Sequence, residues 1–277
     1  MKKAFTILMA VMMMLTAALP VAAEETKGEK AETEIIVFAA ASMTETLTEI
    51  AELYKEAAPN VTLIFNFDSS GTLKTQIEEG ADCDLFISAG QKQMNQIDIQ
   101  ADSEINVDGL DFVEEGTRIN LLENKVVLAV PDENPKDLQS FDDLAAGLAE
   151  GNLVLAMGNA DVPVGQYTQK ILAYYELEEE KLAGAGAITY GTNVKEITTQ
   201  VTEGIVDCGV IYCTDAYSAE LQIIDYAEAE MCGQVIYPVA VLNVSKQKEE
   251  AQAFLDYLTT EEAMEIFEGV GFAPAEN

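Results

Sequence analysis

The sequence predicts an α/β protein with two lobes, each built on a mixed, mostly parallel sheet. Strand patterns alternate with helix patterns from Ile35 onward, as in sheets that are covered by helices. Two apolar runs of strand length, at residues 126–130 and 235–244, stand where the chain is expected to cross between the lobes. The loops suited to a ligand are split between the two halves, which favours a cleft and a hinge of two crossovers.

The predicted strands and helices follow one another along the chain. Short apolar runs predict strands at residues 35–38, 61–67, 85–88, 126–130, 153–156, 187–189, 206–212 and 235–244. Apolar residues at helical spacing predict helices marked by residues 43–54, 73–77, 167–175, 194–201, 247–258 and 261–268. Residues 98–120 are acidic and weakly periodic, and they predict a loop with short helical turns.

The two crossovers, expected near residues 120–126 and 230–236, set the lobe boundaries. Lobe 1 is expected to take residues 34–122 and 234–277, and lobe 2 residues 123–233. A single sheet shared by both halves would contradict this division.

The N-terminal 23 residues predict a secretory signal peptide. Lys2 and Lys3 precede an apolar run over residues 4–19, and small residues at 21–23 suit a cleavage site. Residues 24–33 are charged and predict a loose leader. The mature chain is therefore expected in the periplasm or another extracytoplasmic compartment.

The composition excludes several kinds of function. The formal charge of −34 gives a surface that repels nucleic acid and anionic lipid. Histidine is absent, which excludes a Ser-His-Asp triad, a Cys-His pair and any histidine metal site. Four cysteines, none in a C-x-x-C pair, fit either one or two disulfides or buried free thiols. They are Cys83, Cys208, Cys213 and Cys232.

Four loops share one design, in which a strand ends, small or hydroxyl residues follow, and a helix begins. They are Ala41-Ser42, Ser69-Ser70-Gly71, Pro163-Val164-Gly165 and Asn193-Val194. Ser42 and Glu45 form a capping-box pattern, which predicts Ser42 as the N-cap of the first helix. The unpaired N–H groups and the dipole at a helix start attract anions.

No lysine or arginine stands at the tips of these four loops. Neutral donors suit a small anion that has lost its water, and Tyr212 can add a hydroxyl at the end of its strand. Each loop taken alone is better explained as an ordinary helix cap, and a core tyrosine is a fair alternative for Tyr212. The four together favour an anion site between the lobes, where the carboxyl ends of strands meet.

At these residues the chain resembles the molybdate-binding proteins of bacterial ABC importers. The matching pieces are VFAAASMT at 37–44, FDSSGTL at 67–73, ADCDLFISA at 81–89, VPVGQY at 162–167, GVIYCTDA at 209–216 and YPVAV at 237–241. The resemblance covers nearly all of residues 34–273. It implies the two-lobed fold of type II periplasmic binding proteins.

The resemblance implies a solute-binding protein that captures molybdate or tungstate and delivers it to the membrane permease of an ABC importer. Ser42 and Ser70 would supply N–H and hydroxyl donors, Val164 and Val194 their N–H groups, and Tyr212 its hydroxyl. Molybdenum would be held only as the oxyanion, by these same residues. No catalysis and no cofactor are implied, and a monomer is expected.

The sequence departs from the family pattern at four positions. Val164 replaces a usual alanine, Gly71 a common serine and Cys213 a usual glycine. Asp68 is the departure that bears most on the ligand, because its carboxylate stands two residues from Ser70. We expect Asp68 to point outward or back onto the N–H groups of its own turn.

Three alternatives remain open at this point. Another anion such as sulfate would use the same donors, and Tyr174-Tyr175-Glu176 resembles a ferric-ion site, although both tyrosines are expected to pack on their helix face. A secreted hydrolase would need Ser42 or Ser70 as nucleophile. It would lack a histidine base, and neither Lys55 nor Lys74 fits a serine–lysine pattern.

Overall fold

The computed structural model describes residues 31–275. The predicted signal peptide and residues 24–30 of the predicted leader lie outside this range. The first strand begins at Thr33, which the sequence had assigned to the end of the leader. Across the described range, no helix has the length and apolar character needed to span a membrane.

Strands and helices alternate through most of the described chain. The strands are β1 Thr33–Ala40, β2 Val61–Asp68, β3 Leu85–Ile87, β4 Ile119–Asn124, β5 Val126–Val130, β6 Leu155–Gly158, β7 Ile188–Gly191, β8 Cys208–Tyr212, β9 Gln222–Tyr226, β10 Val235–Val241 and β11 Ala273–Pro274. The helices are α1 Thr44–Ala57, α2 Ser70–Glu78, α3 Gln91–Asn95, α4 Phe141–Glu150, α5 Pro163–Tyr174, α6 Glu179–Gly184, α7 Val194–Thr202, α8 Cys213–Ser218, α9 Ala229–Cys232, α10 Lys248–Leu258 and α11 Glu261–Gly269.

The strands form two mixed sheets, with the orders β11-β4-β10-β3-β1-β2 and β7-β6-β8-β5-β9. The strands before residue 125 and those between 126 and 226 therefore lie in different sheets, as the fold class requires. The chain passes from the first sheet to the second at Lys125, and it returns between Tyr226 and Val235.

Parallel pairing is less common than the sequence predicted. It joins β1 to β2 and β3, and β6 to β7 and β8, whereas β4, β5, β9, β10 and β11 pair antiparallel. The "mostly parallel" part of the prediction is wrong because the crossing strands enter their sheets without a helical crossover, and such connections give antiparallel pairs. The parallel strands β1, β2, β6 and β7 are nevertheless those that precede the four predicted loops, and Tyr212 ends the parallel strand β8.

Helix α7 illustrates how the apolar pattern builds the core. Val194, Ile197 and Val201 are buried on one face, and the Asn193 side chain accepts a hydrogen bond from the Glu196 N–H, as an N-cap does. A Cβ built on Gly209 of β8 would lie only 2.5 Å from Val201 Cγ2. The glycine therefore lets the helix pack closely on its sheet, and the predicted helix start is confirmed.

Several elements escaped the sequence analysis. They are α3, α4, α6, α8, α9, β4, β9 and β11. The region 98–118, predicted to contain short helical turns, holds hydrogen-bonded turns and no helix. Tyr174 was expected to pack but is 52% exposed. The four cysteines are free thiols, which resolves that alternative.

Candidate functional site

A small cavity lies where the four predicted loops meet. Residues from both sides of Lys125 line it, and all five predicted donors are among them. The lining residues are Ala40, Ala41, Ser42, Asp68, Ser69, Ser70, Ala89, Val162, Pro163, Val164, Val194 and Tyr212. None of these is lysine or arginine, so any anion there would meet neutral donors.

Ser42 lies in a 3₁₀ turn, Ala41–Met43, that follows β1. The predicted capping box is wrong, because α1 begins at Thr44 and its N-cap is Met43, with no side-chain cap. The Ser42 hydroxyl instead forms a hydrogen bond with the Tyr237 hydroxyl at 2.9 Å. The Ser42 hydroxyl therefore bonds a distant residue and does not cap its own helix. The serine is 4% exposed and lines the cavity.

Ser70 is the first residue of α2 and is fully buried. Ser69 is the N-cap, and its hydroxyl accepts a hydrogen bond from the Thr72 N–H at 3.2 Å. The Ser70 Oγ accepts a hydrogen bond from the Ala89 N–H at 2.9 Å. The N–H groups of the first helical turn have no intrahelical acceptor, so the Ser70 N–H is available beside the hydroxyl.

Val164 and Val194 stand in the first turns of α5 and α7 and are buried. Pro163 precedes Val164 at the start of α5, where the missing proline N–H costs nothing. Since N–H groups at these positions have no acceptor within their helices, each valine brings one backbone donor to the cavity. The side chains of both valines belong to the core, so the residue type at these positions does not indicate a ligand-binding role.

Tyr212 ends β8 and is buried, with its ring packed against Tyr167 and Tyr237. Its hydroxyl donates to the Ala89 carbonyl over a long 3.4 Å. Burial, and then the neighbouring Tyr237, raises the pKa of Tyr212 well above its ordinary value. The phenol therefore keeps its proton and acts as a donor.

The two serine hydroxyls share one feature. The Ser42 oxygen lies at hydrogen-bond distance from the Tyr237 hydroxyl, and the Ser70 oxygen accepts from the Ala89 N–H. If Tyr237 is the donor to Ser42, neither serine proton has an acceptor among the described residues. Hydroxyls in that state have a proton to give to whatever fills the cavity.

Asp68 lines the cavity, but its Oδ1 accepts from the Ser69 N–H at 2.7 Å and from Asn193 Nδ2 at 3.3 Å. The bond to Ser69 is the local one that the sequence favoured. The bond to Asn193 was not foreseen, and it connects the end of β2 with the N-cap of α7. This carboxylate thus has two donors of its own.

Charged contacts beside the cavity also escaped the sequence analysis. Lys195 follows Val194 and pairs with Glu45 of α1 and with the buried Asp215 of α8. Glu45 and Lys195 are 150 residues apart, and no local pattern relates them.

The alternative sites do not form in the described chain. The Tyr175 hydroxyl donates to Asp142, and neither Tyr174 nor Tyr175 lines the cavity. Within residues 31–275, no group of three or more cysteine and acidic side chains is arranged to hold a metal ion. Lys55 pairs with Glu52, and Lys74 with Glu78, each one on its own helix; neither forms a bond with the serines.

The chain is similar to known proteins over most of its length. A family model described as bacterial extracellular solute-binding protein matches residues 35–273. YvgL of Bacillus subtilis, which carries the name of an ABC transporter substrate-binding lipoprotein, is 33% identical, over 89% of this chain and 88% of its own. The molybdate-binding protein ModA of Haemophilus influenzae is 30% identical, over 88% of this chain and 91% of its own.

The fold also matches a solved structure, the periplasmic molybdate-binding protein of Azotobacter vinelandii, with a TM-score of 0.72 and 20% identity. That match covers 87% of this chain and all of the other, and it confirms the α/β fold of periplasmic binding proteins. The chain belongs to the family of bacterial extracellular solute-binding proteins.

Proposed function

We propose that this protein captures molybdate or tungstate between two lobes and delivers the oxyanion to the permease of an ABC importer. The observation that carries the proposal is a cavity lined by donors without a basic side chain. Ser42, Ser70, Val164, Val194 and Tyr212 are the proposed ligand residues. The ModA relatives, named for molybdate binding, support this choice of ligand.

The proposed lobes are residues 34–122 with 234–277, and residues 123–233. Four of the contacts that join them around the cavity are Lys195 with Glu45, Asn193 with Asp68, the Tyr212 hydroxyl with the Ala89 carbonyl, and the Asp161 carbonyl against Gly71. We infer that these contacts belong to a closed state and break when the lobes open about Lys125 and residues 227–234. Hinge closure of this kind brings donors from both lobes onto one ligand.

The proposed location is extracytoplasmic, reached through the signal peptide at residues 1–23. The proposed working form is a monomer, because a single chain contributes every donor. No catalytic role is proposed for either serine, since each hydroxyl is placed to donate a proton in a hydrogen bond and has no base beside it.

Calorimetric titration tests the proposal with molybdate, tungstate, sulfate, phosphate and ferric citrate. Molybdate and tungstate are expected to bind with similar affinity, because both are tetrahedral dianions of nearly equal size. Tighter binding of sulfate, or binding of ferric citrate alone, would contradict the proposal. Small-angle scattering is expected to show a smaller radius of gyration at saturating molybdate than without ligand.

A further inference from the structure

We infer that Lys92 and Lys170 attract the oxyanion and make the groove between α3 and α5 its route into the cleft. The inference rests on the proposed function and assigns a role to two residues that the proposed donors do not include. Neither lysine lines the cavity. Their role therefore lies in the rate of capture and not in the contacts of the bound state.

The groove lies between the two proposed lobes and adjoins the cavity. One wall is the start of α3 with Lys92, and the other is α5 with Lys170. Pro163 lines both the groove and the cavity, and Gly90 of the groove directly follows Ala89 of the cavity. An anion held in the groove therefore stands next to the proposed donors, and hinge opening would widen its path to them.

The lining of the groove is positive in a strongly acidic protein. The chain has 49 acidic and 15 basic residues, yet the described residues that line this groove include two lysines and no carboxylate. Two other grooves of similar size each have four carboxylates and one basic side chain in their lining. Their carboxylates belong to Glu32, Glu34, Asp82 and Asp84 in one, and to Asp98, Asp111, Glu114 and Glu115 in the other.

Neither lysine loses its charge to a carboxylate partner. Within residues 31–275, Lys92 and Lys170 form no ion pair. The Lys170 Nζ donates to the Cys232 carbonyl at 3.2 Å and lies 5.1 Å from the centroid of the Tyr167 ring, and both partners are neutral. Unpaired charges in a groove focus the local field and raise the rate at which an oppositely charged ligand arrives.

Carboxylates prevail on other sides of the cavity. Asp68 is part of its lining. Lys195, which follows the lining residue Val194, is outnumbered by its two partners, Glu45 and Asp215. The Debye length is about 8 Å at physiological ionic strength, so these near charges influence the path of a dianion more than the net charge of the whole protein does. The groove with the two lysines is thus the favourable approach.

Stopped-flow tyrosine fluorescence tests this route by measuring the association rate of molybdate. Lys92→Gln is the main variant, because the Lys92 ammonium has no partner to lose and the groove already carries glutamines. At an ionic strength of about 0.01 M, where the Debye length is about 30 Å, the rate is expected to fall about two- to fourfold. Lys170→Gln is expected to act alike, and the double variant more strongly. At about 1 M, where the Debye length is about 3 Å, every variant is expected to match the wild type.

Lys246→Gln is the matched control, since it removes the same charge from a lysine that also forms no ion pair within residues 31–275. Lys246 lines the groove at the start of β1, whereas the cavity lies at the end of that strand. A strand of this length spans about 23 Å at about 3.3 Å per residue. The control therefore reports the effect of net charge, and it is expected to slow association less than Lys92→Gln does.

The dissociation rate of molybdate is expected to stay at the wild-type value in Lys92→Gln, because this lysine is not among the cavity residues. A loss of association rate no larger than that in Lys246→Gln, a loss that persists at high salt, or a change confined to dissociation overturns the inference and leaves the proposed function standing. A wild type that does not bind molybdate overturns both.

Discussion

Lys195 of α7 and Glu45 of α1 form an ion pair across the two halves of the molecule, with Nζ 2.7 Å from Oε2 and 2.9 Å from Oε1. Lys195 directly follows Val194, and Glu45 lies three residues after Ser42. The pair therefore stands beside proposed donors on both sides of the cavity. It joins residues that hinge opening would separate.

Glu45→Gln, which leaves Lys195 paired with the buried Asp215, is expected to weaken molybdate binding about two- to fivefold, mainly through faster dissociation. The side chains of Lys195 and Glu45 are 31% and 49% exposed, so the pair has the modest strength of solvent-screened ion pairs, up to about 1 kcal/mol. Stopped-flow tyrosine fluorescence measures the dissociation rate. Glu178→Gln is the control, since Glu178 pairs with Lys181 on one side of the cleft. Equal rates in the two variants would contradict the role of the pair.

Asp215 predicts a pH dependence of stability. Burial raises its pKa from 3.8 to about 6, against the opposing effect of Lys195, whose Nζ lies 3.2 Å from the Asp215 Oδ1. The folded state thus holds this proton more tightly than the unfolded chain. The contribution of Asp215 to the free energy of unfolding is highest below 3.8, falls as the pH rises, and is lowest above about 6.

Urea unfolding one pH unit above and one to two units below the folded pKa measures this effect. Asp215→Asn removes the buried charge and is expected to exceed the wild type in stability by about 3 kcal/mol above the folded pKa, with the difference shrinking at low pH. The wild type and the variant keep the same groups that interact electrostatically with residue 215. These groups are Lys195, Glu45, Tyr212 and Tyr237. Asp108→Asn, at an exposed position, is the control. A constant difference across the range would contradict the assignment.

Ser42→Ala and Val164→Ala test which atoms donate. The first removes a hydroxyl that bonds a charged ligand, worth about 1.5–3 kcal/mol, so affinity for molybdate is expected to fall about ten- to a hundredfold. The second keeps the backbone N–H and is expected to change affinity little. Calorimetry measures both. Loss of binding in Val164→Ala with none in Ser42→Ala would reverse the donor assignment.

Gly71 tests closure without removing a donor. A Cβ built there would lie 2.1 Å from the Asp161 carbonyl oxygen of the opposite half. Gly71→Ala is expected to keep or raise helix stability, because alanine favours helices, but to weaken molybdate binding at least about tenfold. Gly184→Ala is the matched control, since its Cβ would meet nothing within 4 Å in helix α6. Unchanged affinity in Gly71→Ala would mean that this contact is absent from the bound state.

What the sequence predicted well was local. The apolar run 126–130 became β5 at the same bounds, and Asn193 caps α7 as its pattern indicated. The five proposed donors line one cavity, and each lies at or shortly after the carboxyl end of a strand. Local sequence was sufficient for these features, because the end of a strand and the start of a helix both depend mainly on neighbouring residues.

What the sequence missed was tertiary. Ser42 fits a capping box, but its hydroxyl bonds Tyr237, 195 residues away, and that contact overrides the local cap. Strand β4 begins where the predicted acidic loop was expected to end. Its short sequence, INLLEN, has no clear strand pattern, and it forms a strand because it pairs with β10 and β11. Helix α4 is different: Ser140 and Gly151 mark its ends in ordinary ways, and that signal was overlooked.

Asp68 gives the last prediction. Like charges 4 Å apart repel by about 4 kcal/mol at an effective dielectric of 20, and a dianion doubles that, so a free carboxylate facing the ligand would prevent tight molybdate binding. The Oδ1 of Asp68 is instead held by the Ser69 N–H and by Asn193 Nδ2, donors that draw its charge toward its own turn and toward the opposite half.

Asp68→Ala is therefore expected to change molybdate affinity less than Ser70→Ala does, with the ranking of ligands preserved in calorimetric titrations. Asp68→Asn, which keeps the size of the side chain, separates the charge from the packing. Tightening of molybdate binding by a hundredfold or more in both Asp68 variants would mean that the carboxylate faces the ligand, and the natural ligand would then be an anion that carries a proton for Asp68 to accept.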